Sequence, residues 1–594
     1  MDDFELIAKK FSSIVRIRKI CMKDFRNIEE SSIVFPNHEI DDVLEGKPSV
    51  LGIYGQNGSG KTSVIMALGL LQNLLLGERI TKKYESCIRC GCERATLTYE
   101  FSIIGSIENS EEVSDVSAFY SSVFKNSRYE VTYSLDITTA KRKKDQEEES
   151  YIVIENEKIA IKVSDENGCV VLPKQVYIDT SDSACSDNIR AFGSKAKFKL
   201  LAGDDRDFYM ELFKAKTLSR SNSQSMIFSD DFMSSLFERY NKDVETNKSY
   251  YLQMIRLISD LDKMVELSDE ELEVKTDDEA AEFDEKIKRA IIDGNARFNM
   301  GFTEKQIEES DIDAQLDMLL NIISSNAYRD EGIKGFFYSA IGQLIMFASD
   351  KLHVVDTFSM GLINVNRNLP LVLRLNKYNK YTEAYEASYK TILLNMDEPT
   401  KINDDSYASV SDSISKLSNV LSTIIPELRL KLEDYGVQIN EKNERMRIID
   451  IIAERDGITI PLKYESDGIR RLVSILSRLV GVYNDPSITL AVDEIDSGIF
   501  EFLLGEVIQI MASSSKGQLI FTSHNLRPLE VLPSKYLVFT TTNAKNRYTS
   551  IAARGNSNLR DTYFRSIVLG TKSDDVYRST DQFDIEQAFI LAGE

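Results

Sequence analysis

The chain has 594 residues, too many for one compact core, so several domains or one core with large insertions are expected. A formal charge of -23 and a pI near 4.9 exclude a surface that is basic all round, leaving room only for a local basic patch. Hydrophobic residues at 42% and charged residues at 28% suit a folded protein, and the six cysteines are too scattered for a disulfide framework. No signal-peptide pattern opens the chain and no long uncharged apolar run interrupts it, so a cytoplasmic protein without membrane contact is expected.

In chain order, residues 15–25, 29–35 and 49–54 are rich in β-branched and aromatic residues and read as strands. A helix is predicted from Lys61 towards Leu76. Strand patterns continue at 95–104, 128–137, 151–163 and 169–178, which makes a β-rich lobe. The mixed-charge run at 141–150, KRKKDQEEES, reads as a solvated hairpin tip.

Between the third strand and the helix lies Gly55-Gln56-Asn57-Gly58-Ser59-Gly60-Lys61-Thr62, the P-loop pattern of Gly, four residues, Gly, Lys and Thr. Its glycines let the backbone curl close to phosphates, and the amides that open the helix, Ser63 included, point at the anion. Lys61 is placed to neutralise the β and γ phosphates, and Thr62 to offer its hydroxyl to magnesium. Further on, Cys87-Ile88-Arg89-Cys90-Gly91-Cys92 offers three thiols without a fourth ligand or a second CxxC pair, so a turn of reduced cysteines outweighs a zinc site.

Residues 204–349 have a helical texture with an acid-rich portion at 268–285, read as solvated. Strands are expected at 352–356 and 362–375 and a helix at 409–425. The last 150 residues alternate strand and helix with short turns, the mark of a parallel, helix-covered sheet. In that region an apolar strand at 488–494 ends in Asp493 and Glu494. Beside a P-loop, Asp493 would hold magnesium through water and Glu494 would polarise the attacking water; alone, the pair would be an acidic turn.

A helix at 498–513 and a strand at 518–522 lead to His524, one of three histidines. It is placed to hydrogen-bond a γ-phosphate and sense its loss, the alternative being a surface or capping histidine. Upstream, Glu465-Ser466-Asp467-Gly468-Ile469-Arg470-Arg471-Leu472 sets a serine and a glycine at the start of an amphipathic helix reaching about Val482. This is a second anion-binding terminus, poorly connected to the P-loop of its own chain. In isolation it would be a helix cap.

This order of motifs resembles the RecF, SMC and OLD-like branch of ABC-type ATPases over roughly residues 14–104 and 405–545. The entry is similar too: residues 17–25 followed by Arg26-Asn27 resemble the family's strand ending in Phe-Arg-Asn, where both polar residues approach the nucleotide. The resemblance implies an α/β fold: a P-loop NTPase head of ABC type, with a mixed β lobe, a parallel helix-covered sheet and a large helical insertion. It divides the chain into ATPase halves at 1–203 and 351–545, an insertion at 204–350 and a docking or capping segment at 546–594.

ATP and Mg2+ are the implied cofactors. Ser466 and Gly468 would contact the ATP of a partner copy in a homodimer or higher homo-oligomer, with Glu494 as hydrolytic base and His524 as switch. The signature reads Ser-Asp-Gly where transporters have Ser-Gly-Gly. Ile495-Asp496-Ser497-Gly498-Ile499-Phe500 is similar to bacterial OLD-like ATPases of phage defence. The short stretch after His524 lacks the acidic constellation of a TOPRIM nuclease, so a separate effector, a nuclease or toxin, is expected. Two alternatives stay open: a DNA repair or chromosome-maintenance ATPase with nucleic acid as partner, and a scaffold that uses ATP as a structural ligand.

Overall fold

Two-residue alternation of apolar and polar side chains in the first 180 positions builds an antiparallel sheet. The computed structural model describes residues 11–107, 127–144, 147–165, 167–180, 206–234, 284–292, 302–310, 331–356, 368–379, 384–440, 443–551, 559–569 and 586–589, with single positions 295, 314, 315, 318 and 592. Its strands begin with β1 (Phe11–Phe25), β2 (Ile28–Val34), β3 (Ser49–Tyr54), β4 (Arg94–Ile107), β5 (Arg128–Lys144), β6 (Glu147–Ser164) and β7 (Val170–Asp179). All but β3 join in the order β2-β1-β4-β5-β6-β7. β5 and β6 run further than the sequence pattern indicates: Arg142 faces Glu149, Lys143 faces Glu148 and Lys144 faces Glu147 across the ladder. The charged run therefore continues the ladder rather than only capping it.

β3 leaves this lobe for a second sheet, and all six of its residues are buried, as a strand covered on both faces requires. That sheet has the order β18-β17-β3-β16-β15-β8, formed with β8 (Leu352–Val355), β15 (Thr489–Val492), β16 (Gln518–Thr522), β17 (Leu537–Thr540) and β18 (Tyr548–Thr549). Every neighbouring pair is parallel except β17 with β18. Helix α1 (Lys61–Leu75) follows β3 and is buried on nearly every side between the two sheets. Gln518 ties the sheets together, since its side-chain amide exchanges hydrogen bonds with the Ile17 backbone at 3.2 and 2.9 Å.

The described parts of the expected helical insertion include Arg206–Asn222, residues 284–292, Glu304–Glu308 and α2 (Glu331–Met346). Apart from residues 284 and 285, the acid-rich portion lies outside the described residues. α2 widens into a π-helical turn, Phe347–Lys351, that runs directly into β8. A π turn disturbs the regular hydrogen-bond ladder. Gln72 of α1 grips both sides of it, donating to the carbonyls of Ala348 at 3.0 Å and Leu352 at 2.7 Å.

Strand content between 368 and 461 exceeds the sequence expectation. β9 (Asn368–Asn379) pairs with β10 (Ala384–Asn395) as a hairpin of which only part of the first strand was expected; residues 362–367 lie outside the described residues. β11 (Thr400–Asn403), β12 (Arg429–Ile439), β13 (Arg445–Arg455) and β14 (Ile458–Pro461) form an antiparallel sheet on which α3 (Tyr407–Ile424) packs. The strand-helix alternation of the parallel sheet therefore begins only at α4 (Asp467–Asn484), followed by α5 (Glu501–Ser514).

α4 joins two cores. Leu472, Val473 and Leu476 pack towards the antiparallel sheet, while Ile475, Leu479 and Val482 pack under the parallel one. The tail helix α6 (Leu559–Leu569) lies on the parallel-sheet core, with Tyr563 stacked on Phe539 at 5.0 Å. Among the described residues, no helix is long and apolar enough to cross a membrane.

Candidate active site

The C-terminal ends of β3, β15 and β16 lie side by side, and the predicted phosphate-site residues gather there. Gly60 closes the loop with φ +104°, a left-handed conformation that a side chain would strain, and its carbonyl accepts from the Ser63 amide at 3.2 Å to start α1. Lys61 is buried and donates to the carbonyls of Gly55 at 2.7 Å and Gln56 at 3.1 Å. Burial lowers its pKa, opposed by the carboxylates of Asp493, Glu494 and Asp496. Asn57 and Gly58 are exposed at the loop's crest, and Ser59 is buried with its hydroxyl on the Gln56 carbonyl at 2.5 Å.

Asp493, 1% exposed, ends the apolar strand β15 beside this loop. Its Oδ1 accepts from the hydroxyls of Thr62 at 3.3 Å and Thr522 at 2.6 Å, and its amide donates to Val355 of β8 at 2.8 Å. A threonine hydroxyl and a buried carboxylate at this separation fit a magnesium ion that takes its other ligands from phosphate and water. Among the described residues, no group of three or more His, Cys, Asp or Glu side chains could hold a metal, so the protein would supply only part of such a shell.

Glu494 is half-buried and adopts φ +49°. That conformation costs a non-glycine residue about 1–2 kcal/mol and is held by the Glu494 amide donating to the Thr522 hydroxyl at 2.8 Å. His524, at the tip of β16, has an exposed ring, while its backbone is pinned: the amides of His524 and Asn525 both donate to Asp496 Oδ2 at 2.9 Å. Asp496 Oδ1 is buried without a partner. Thr522 and Asp496, which sequence reasoning did not single out, thus fix the two acids and the histidine loop relative to each other.

Ser466 caps α4 by accepting from the Ile469 amide at 3.4 Å, and both Ser466 and Asp467 are exposed. The start of this helix is anchored in its own chain. Gly468 touches the backbone of Gly498, and one turn on, Arg471 donates to the Asp493 carbonyl at 3.1 Å. Burial lowers the Arg471 pKa, while Glu494, Asp493 and Asp496 oppose that shift. The structure therefore sets α4 beside the two acids and leaves its capped end facing outward.

Arg26 and Asn27 stand in the β1–β2 turn at the other rim of the loop. The Asn27 amide reaches the Gly58 carbonyl, and Arg26 Nη1 and Asn27 Oδ1 are buried without partners, so this rim has polar capacity left for a ligand. The Arg26 amide donates to the Cys87 carbonyl at 2.7 Å. Burial pushes the Cys87 thiol up to about 11, against Arg26 and Lys83, which keeps it a thiol at neutral pH; Cys90 is exposed and Cys92 half-buried.

No family model matches the chain, and no curated protein matches it. Solved structures similar to it include the Smc head domain with a coiled coil and joint from Pyrococcus yayanosii, with TM-score 0.32, 12% identity and coverage of 91% of this chain and 98% of that one. Another is the Pyrococcus furiosus Smc head domain with an extended coiled coil bound to the C-terminal domain of ScpA, at TM-score 0.31 and 12% identity, covering 94% of this chain and 100% of that one. A third, the SmcHead bound to the C-winged helix domain of ScpA, has TM-score 0.32 and 11% identity over 90% of this chain and 98% of that one. The fold here is a P-loop α/β head, by the parallel sheet, the loop between β3 and α1, and the neighbouring acid-ended strand; its chemistry rests on its own residues.

Proposed function

We propose that the chain binds ATP with Mg2+ on its P-loop and hydrolyses it, and that two copies close face to face so that Ser466 and Gly468 of one complete the pocket of the other. The observation that supports this most is the meeting of Lys61, Thr62, Asp493 and Glu494 at the carboxyl ends of β3 and β15, the two strands that flank β16, with Thr62 and Asp493 in contact across 431 positions. Open α/β sheets bind their ligands at such ends.

Lys61 and the loop amides would hold the phosphates, and Thr62 and Asp493 the metal, which when bound would neutralise phosphate oxygens. Glu494 would take the proton of the attacking water, and the His524 ring would follow the γ-phosphate. The exposed, capped end of α4 supports a contact made in trans. From the resemblance of residues 495–500, the head would control a separate effector, a nuclease or toxin, in antiviral defence, with closure carried outward through the insertion that enters at β8.

Glu494→Gln is the decisive variant. Steady-state turnover should fall at least a hundredfold, the usual weight of a general base, while ATP-dependent dimers persist in light scattering. Unchanged turnover would remove Glu494 as the base, and a wild-type chain that binds ATP without turning it over would favour the scaffold reading.

A further inference from the structure

The C-terminal hairpin of the parallel sheet, which carries no recognisable motif, touches the phosphate loop at both its beginning and its end. At its start, Thr540 donates to the Tyr54 carbonyl at 3.2 Å and meets the Ser59 hydroxyl. At its far side, the Tyr548 hydroxyl donates to the Gly60 carbonyl at 2.9 Å. Next to it Arg547 spends its guanidinium on backbone oxygens alone: Nε and Nη2 reach the Asn27 carbonyl at 3.1 and 2.7 Å, and Nη1 reaches the Thr541 carbonyl at 2.8 Å. The Arg547 amide adds a bond to the Ser31 hydroxyl at 3.2 Å, and the Ala544 carbonyl accepts from Glu29 at 2.9 Å.

These contacts do more than close a surface. In a trans peptide the carbonyl and the following N–H point in opposite directions, so a carbonyl held outward turns the next amide inward. Tyr548 holds Gly60 in this way and orients the amide of Lys61 at the loop's anion-facing end. Arg547 fixes the Asn27 backbone, and with it the side chain whose amide reaches Gly58 and whose Oδ1 stands 3.3 Å from where a Cβ on Gly60 would lie. A planar, always charged guanidinium is suited to bridging two carbonyls in one geometry.

We propose that Arg547 and Tyr548 are positioning residues for nucleoside triphosphate: they hold the P-loop and Asn27 in their binding conformation before ligand arrives. The inference rests on the reading of the P-loop as an ATP site. Its benefit is preorganisation, since a loop already ordered loses less freedom on binding.

Titration of the full-length chain with a fluorescent ATP analogue and Mg2+, beside steady-state ATPase kinetics, tests it. Tyr548→Phe keeps the ring and loses one hydrogen bond, so Kd and KM should rise roughly three- to tenfold while kcat at saturation stays within about twofold. Arg547→Ala should raise both by tenfold or more, and Arg547→Lys, lacking the fork, should recover only a small part. Wild-type Kd and KM in Tyr548→Phe and Arg547→Ala, even with a lowered melting temperature, would make the hairpin merely structural and overturn the inference. If Arg547→Ala does not fold, Tyr548→Phe decides alone. A wild-type chain that fails to bind the analogue overturns the ATP reading as well, whereas binding by wild type without change in the variants overturns this inference only.

Discussion

Gly468 and Gly498 meet backbone to backbone, and a Cβ on residue 468 would lie 2.0 Å from the Gly498 carbonyl oxygen. Gly468→Ala must therefore push the segment after Glu494 away from α4. Overpacking of this kind costs about 1–3 kcal/mol, so the melting temperature should drop by several degrees and turnover by tenfold or more. Thermal denaturation with ATPase assay checks it, and a wild-type melting curve would show that the contact yields freely.

Lys61, Thr62 and Asp493 were legible in the sequence because their chemistry imposes a spacing or a strand end. Thr522, Asp496 and Arg471 were not. They act through bonds to residues 22 to 29 positions away, and a threonine, an aspartate and an arginine in such places carry no local pattern.

At the level of elements, helices announced themselves through caps and amphipathic spacing better than several strands did. Ser466 and the apolar stripe of α4 are a complete signal, whereas β13 and β14 were absorbed into an expected alternation and β12, just before them, had no expectation at all. β13 reads RMRIIDIIAER, an apolar run that periodicity alone cannot assign. β10 was missed altogether, because YEASYK looks polar until its partner is known.

β8 has a measurable property of its own. Burial, reinforced by Arg478 and Lys351, pushes His353 from the usual 6.5 down to about 4. The folded state holds this ring neutral while the unfolded chain protonates it below about 6.5, so stability should decline as pH falls from 6.5 towards 4. The full shift corresponds to about 3 kcal/mol, and the effect should be smaller because the ring keeps some solvent contact. Urea unfolding at pH 7 and pH 5 should show His353→Gln losing less stability on acidification than wild type; equal losses would assign the effect to other groups.

On the scale of the whole molecule, the antiparallel lobe is drawn from the first 180 residues, interrupted only by the excursion through β3 and α1, but the parallel sheet is gathered from both ends of the chain and from β8 between them. β3, encoded near residue 50, sits between β16 and β17, encoded beyond residue 515, so the phosphate loop acquires its walls only from the far end of the chain. Residues 1–203 expressed alone should therefore fail to bind the fluorescent nucleotide, and co-expression with residues 351–594 should restore binding. Nucleotide retention by the N-terminal piece alone would contradict this.

The central place of β3 also bears on how the protein is made. Through most of translation this largely apolar strand, wholly buried in the fold, emerges with both hydrogen-bonding edges bare, and such edges invite association with other chains. Late non-local pairing is also slow. A ribosome that stops before β16 releases a polypeptide with a greasy, two-sided template, which makes such a truncation more hazardous to the cell than simple loss of the protein.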